Sequence, residues 1–143
     1  MNLKEILEES DSYFIQYKGM AKISAGNKLS IQGKTLDDAL ELAKRLTPLM
    51  NASHCTFKFG TQKLISSQNT EQSTKLLTIY IPDGVDPKSF AELVSLNLKM
   101  YKGGEGIPPK LGYEYYENKY SKGAIYYRND RDSEGNYIYP ENA

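Results

Sequence analysis

The sequence predicts an α+β domain, with helices packed on a mostly antiparallel sheet. Three observations carry this expectation. Short segments alternate apolar and polar residues with period two, two longer segments repeat their apolar residues at helical spacing, and strands fall before and after each long helix. No internal repeat is present.

In chain order, residues 2–10 suit a short amphipathic helix with Leu3, Ile6 and Leu7 on one side. Two short strands fit the irregular segment from Tyr13 to Ile31. The second, NKLSIQ, sends Leu29 and Ile31 one way and Lys28, Ser30 and Gln32 the other. Gly33 gives a turn, and Thr35 with Asp38 three residues on marks a helix start. The helix that follows carries Leu36, Ala39, Leu40, Ala43, Leu46 and Leu49, with its hydrogen bonding expected to weaken at Pro48. CTFKFG is a strand with Lys58 opposite to Phe57 and Phe59, and SSQNTEQST (66–74) a mobile polar loop.

TKLLTIYI reads as a strand closed by Pro82-Asp83-Gly84, and alternation puts Lys75 in line with Leu77, Ile79 and Ile81. Asp86-Pro87 begins a second long helix whose buried stripe is expected to be Phe90, Leu93, Val94, Leu98 and Tyr101. KGGEGIPPKLG is a loop. AIYYRN is a last strand, with Tyr126 and Arg128 on one face and Ile125 and Tyr127 on the other. DRDSEGNYIYPENA reads as a linker or surface strap.

The 143 residues fit one domain with one core. With 39% hydrophobic and 25% charged residues, the composition is that of a polar globular protein rather than a disordered chain. Basic and acidic residues balance at 18 each, which gives no support for a nucleic-acid or anionic-membrane partner and leaves room for a local basic pocket. One cysteine, Cys55, allows no disulfide within the chain and fits a reducing compartment. The opening MNLKEILEESDSYF lacks a signal-peptide core and no run reaches transmembrane length, so the expected location is the cytoplasm.

Familiar catalytic signatures are absent: GKT at 33–35 lacks the glycine spacing of a phosphate loop, and there is no HExxH, paired CxxC or GxSxG. His54 beside Cys55 is too little for a zinc site and fits a helix terminus, so no metal is expected. What remains is a set of basic residues on strands: Lys28, Lys58, Lys75 and Arg128. Each alternates with apolar or aromatic neighbours. Either they form a solvated sheet face, or they meet in a basic pocket suited to phosphate or carboxylate. Nine of the twelve tyrosines lie from Tyr101 onward, which marks either a peptide-contact surface or ordinary packing at a sheet edge.

The order of these pieces resembles a family. GNKLSIQGKTLDDALELAKRLTPLMNASHCTFKFG is similar to the opening of the N-terminal lyase domain of class III lanthionine synthetases. STKLLTIYIPDG resembles its Gly-Lys-Phe-x-Thr-x-Tyr-Pro stretch, AIYYRND its Tyr-Arg segment, and RDSEGNYIYP the stretch leading towards the kinase domain. The Tyr-Arg-Asn wording also occurs in the phosphothreonine lyases secreted by enteric pathogens. The resemblance covers roughly residues 13 to 140. It implies a phosphothreonine-lyase-like fold, with residues 1–12 as an N-terminal helix, 13–131 as the lyase-like domain and 132–143 as a linker or strap.

The reaction so implied is β-elimination of phosphate from phosphoserine or phosphothreonine in lanthipeptide maturation, without metal or cofactor. Lys75 matches the general base, which must be poised below its ordinary ~10.4 to act at neutral pH. Arg128 matches a phosphate ligand, with Lys28 and Lys58 as further candidates. The family's general-acid histidine falls at Ser30, whose hydroxyl holds its proton too tightly for that role, and the glycine before the lysine is Thr74. A slow lyase, a lyase using another acid, and a domain that only binds phosphopeptide or leader peptide all remain open, as does an unrelated interaction domain using its tyrosines. The implied partners are a phosphorylated precursor peptide and the kinase and cyclase domains or proteins of the pathway. The chain has no kinase motif, so it is expected to be an excised or separately encoded domain.

Overall fold

A computed structural model describes residues 1–67, 72–107, 114–115 and 123–137. Its elements run α1 (Leu3–Glu9), β1 (Phe14–Tyr17), β2 (Asn27–Gln32), α2 (Leu36–Ala52), β3 (Thr56–Gly60), α3 (Gln62–Ile65), β4 (Lys75–Tyr80), α4 (Pro87–Leu96), β5 (Glu114–Tyr115) and β6 (Ile125–Asn129). The strands form a six-stranded sheet in the order β1-β3-β4-β2-β6-β5, and every neighbouring pair is antiparallel. The expected α+β class is therefore the observed one. Residues 68–71 of the polar loop, 108–112 of the Gly/Pro loop, 138–143 of the tail, and Tyr113, Tyr116, Tyr120 and Tyr139 lie outside the described residues.

Local chemistry explains the helix boundaries. The Thr35 hydroxyl accepts from Asp38 N–H at 3.2 Å while the Asp38 carboxylate accepts from Thr35 N–H at 3.1 Å, a capping box that starts α2. Pro48 sits inside α2, which runs on to Ala52; an exposed proline near the C-terminal end removes one bond without ending the helix. The end is set by His54 at φ 54, with His54 N–H donating to Asn51 O at 3.1 Å and Cys55 N–H to Met50 O at 3.3 Å. That is the left-handed stop usually made by glycine. Asp86 caps α4, with Pro87 in its first turn.

The helices pack on one face of the sheet, where Leu29, Ile31, Leu77 and Ile79 meet Leu42, Leu46 and Met50 of α2, Phe90 and Val94 of α4, and Leu7 of α1. The expected α4 stripe needs one correction. Leu93 is exposed and Ala91 is buried in its place, because the buried face centred on Phe90 and Val94 turns towards Ala91 and Ser95. Leu98 and Tyr101 are buried beyond the helix end, where the Tyr101 hydroxyl donates to Gln32 O at 2.6 Å.

The face of β4 also departs from expectation. Leu77 pairs with Ile31, but Lys75, not Leu76, pairs with Gln32. A bulge thus breaks the alternation. Leu76 drops into the core close to Gly33 and Tyr101, and Lys75 takes the side of its partner Gln32, away from Leu77, Ile79 and Ile81.

Candidate active site

The face opposite the helices is polar, and the register gives its map. One row across the sheet reads Thr56, Tyr80, Lys28, Arg128; the next reads Gln16, Lys58, Thr78, Ser30, Tyr126; Gln32 and Lys75 follow. All five residues singled out in the sequence therefore share one face. From ~3.4 Å per residue along a strand and ~4.8 Å between strands, the Cα atoms of Lys75 and Arg128 lie about 17 Å apart, with Ser30 at the midpoint. Two long side chains reaching inward along that diagonal can hold one group between them.

Around Ser30 this face is not a solvated one, although Lys58 and Tyr80 are half-buried and Gln16 is exposed towards the β1 edge. Lys28 is 8% exposed, Lys75 7%, Arg128 4% and Ser30 0%. Such burial has electrical consequences. Desolvation pushes the Lys28 ammonium below its ordinary range; Lys58 and Arg128 push the same way, and Asp130 opposes them. Burial also lowers Lys58, again against Asp130. The Lys58 ammonium lies 4.3 Å from the centre of the Phe14 ring, a cation–π contact. Burial, then the Asp130 charge, raises the Tyr80 hydroxyl, so it keeps its proton and can donate.

Asp130 is the residue that sequence reasoning missed. It is buried, and its Oδ2 lies 3.5 Å from Lys28 Nζ. The signal available in the sequence was its place two residues after Arg128, at the end of the last strand. Gln32, Thr78 and Tyr80 were missed as lining residues because only strand pairing brings them to the cations. Gln32 donates to the Ser30 hydroxyl at 3.2 Å, and Tyr126 beside Ser30 donates to Ile107 O at 3.1 Å.

His54 is exposed at the end of α2 and serves the turn described above. Cys55 is buried, with its thiol raised to about 11 by desolvation, and is inert there. Among the described residues no group of three or more His, Cys, Asp or Glu side chains is placed to hold a metal ion, and no helix is long and apolar enough to cross a membrane. A cavity of about 190 Å³ lined by Tyr13, Phe14, Leu64, Ser67 and Gln72 opens beside β1. It contains none of the five candidate residues, although Phe14 joins it to Lys58.

Solved structures share this architecture. The phosphothreonine lyase OspF from Shigella flexneri, a type III effector, superposes with TM-score 0.55 over 86% of this chain and 68% of its own, at 15% identity. This chain has the phosphothreonine-lyase fold. The phosphothreonine lyase SpvC from Salmonella superposes with TM-score 0.53 over 83% of this chain and 64% of its own at 17% identity. The corresponding figures for the Chromobacterium violaceum lyase effector VirA are 0.53, 85%, 62% and 15%. The chain thus spans about two thirds of these proteins, and at such identities the likeness is one of fold. No protein-family model matches the sequence, and no curated protein matches it.

Proposed function

We propose that the polar face is a phosphate site for a phosphoserine- or phosphothreonine-bearing peptide, and that the domain is a carbon–oxygen lyase eliminating phosphate from it. One observation carries the reading. The bulge in β4 moves Lys75 off the core face onto the face that holds Lys28, Lys58 and Arg128, in a fold whose solved members named above are phosphothreonine lyases. Arg128 and Lys28, adjacent in the register, grip the phosphate oxygens. Lys75 in its neutral form takes the Cα proton; the electrons form the Cα=Cβ bond, the Cβ–O bond breaks, and inorganic phosphate leaves with the cations offsetting its charge. The biological substrate in this reading is a precursor peptide of lanthipeptide type, phosphorylated by a partner kinase.

Ser30 sits at the centre of the face, fully buried and hydrogen-bonded by Gln32. It can orient a leaving oxygen and cannot protonate one near neutral pH. That observation favours a second reading, a domain that binds phosphopeptide without turning it over. Incubating phosphothreonine peptide with the protein and following its mass separates the two. The lyase reading expects loss of phosphoric acid, abolished in Lys75→Met while binding persists, and weakening of binding by roughly 10- to 100-fold in Arg128→Ala. A peptide that stays intact with excess protein, yet binds in an Arg128-dependent way, would leave the binding module.

A further inference from the structure

We propose that Asp130 is the resident anion of this site, an internal stand-in for phosphate that the phosphorylated side chain must displace. The inference rests on the phosphate-site reading above and adds to it a gate that selects for a dianion. A carboxylate placed among buried cations for stability alone is expected to be well coordinated, at about 2.7–2.9 Å from its donors. Asp130 is not. Its Oδ2 is 3.5 Å from Lys28 Nζ and its Oδ1 is 3.6 Å from Arg131 Nε. Oδ1 is buried and makes no hydrogen bond among the described residues. A buried oxygen left in this state asks for an explanation beyond packing.

The seat is built for it. Asp130 N–H donates to Gly26 O at 3.0 Å, which fixes the backbone while leaving the side chain to swing. Gly26 is at φ +82, and a Cβ there would lie 2.8 Å from Asp130 Oδ1 and 2.3 Å from Arg131 Cγ. Only glycine leaves that space open. From this seat the carboxylate is felt by Lys28, Lys58 and Tyr80, three side chains of the face that would meet a ligand. A phosphate dianion brings more charge and more acceptor oxygens than a carboxylate, so it can outbid Asp130 for Lys28. A glutamate side chain, which matches Asp130 in charge, gains nothing by the exchange.

The test is calorimetric titration of wild type, Asp130→Asn and Arg128→Ala with three peptides: phosphothreonine, threonine, and glutamate at the same position. Asp130→Asn is expected to bind the phosphopeptide about tenfold more tightly, the size of one modest charge term in a desolvated site, and to bind the glutamate peptide that wild type rejects. Equal or weaker phosphopeptide binding by Asp130→Asn, with wild-type binding lost in Arg128→Ala, overturns the gate and keeps the phosphate site. No binding of phosphopeptide by wild type or Asp130→Asn overturns the phosphate site itself. Should Asp130→Asn fail to fold, the carboxylate carbon resonance of Asp130 in the wild-type protein is followed during the same titration. A resonance that moves and saturates with the phosphopeptide supports displacement, and one unmoved at saturation refutes it.

Discussion

Replacing Lys28 by methionine and Asp130 by asparagine, singly and together, measures what holds the polar face in place. The two side chains are about one-tenth exposed, so bulk solvent and salt screen them little. At the observed 3.5 Å, an effective dielectric of about 20 gives an attraction of about 5 kcal/mol. Lys28→Met leaves the Asp130 carboxylate buried without its lysine, and Asp130→Asn leaves the Lys28 ammonium buried without this carboxylate; each is expected to destabilise by about 3 kcal/mol. The double variant buries neither uncompensated charge and is expected within about 1 kcal/mol of wild type. The coupling energy is then about 5 kcal/mol, matching the Coulomb figure. Urea unfolding of the four proteins, with the slope checked for constancy, gives each term. Single effects that add within about 0.5 kcal/mol would falsify the pairing of these groups.

Other expectations follow from particular residues. Folded Lys58 has its pKa below the ordinary 10.5, so the unfolded chain binds more protons in the window beneath that value, and stability rises with pH there. Lys58→Met should flatten the rise of urea midpoint as the pH climbs towards 10.5; an unchanged slope over that climb excludes the buried-ammonium account. Leu76→Ala should destabilise by roughly 2–5 kcal/mol because the bulge sends Leu76 into the core, whereas Leu93→Ala should shift stability by less than about 0.5 kcal/mol. Thermal melts that rank these two the other way would contradict both assignments. His54→Gly relieves a left-handed non-glycine residue and should raise stability by up to about 1 kcal/mol with elimination unchanged. A loss of elimination in that variant would move the general acid to His54.

Where structure follows from neighbours in sequence, the chain was legible. The Thr35–Asp38 box, the Asp86-Pro87 start, and the alternation in NKLSIQ and AIYYRN depend on residues within a few positions, and the elements stand where those patterns put them. Lys75 was misplaced because its face is decided by pairing with Gln32, 43 positions away (75 minus 32). Alternation counted along one strand cannot see a bulge that arises between two. Asp130 was missed for a related reason. It meets Lys28 only because β2 and β6 lie side by side. The burial of the basic face was also out of reach, since alternating lysines read the same whether water or protein lies above them.

That burial is the feature that the proposed phosphate site would account for. Well-packed apolar residues in place of a buried ionic cluster are often as stable or more stable, so stability alone gives no reason to keep Lys28, Lys75 and Arg128 buried on one face, with Lys58 half-buried beside them. A ligand that needs all of them does. Phosphate needs several cations at once, and its departure from a peptide depends less on a strong acid than on charge already fixed where the new charge will appear. In the proposed reaction Arg128 and Lys28 supply that charge, while Tyr80, held protonated by burial, offers a hydrogen bond from the adjacent position in the same row. In that reaction Ser30, which cannot protonate a leaving oxygen near neutral pH, leaves the departure of phosphate to the electrostatic part of catalysis. A lyase working on charge alone should turn over slowly and respond strongly to Arg128, and its rate should scarcely change when Ser30 becomes alanine.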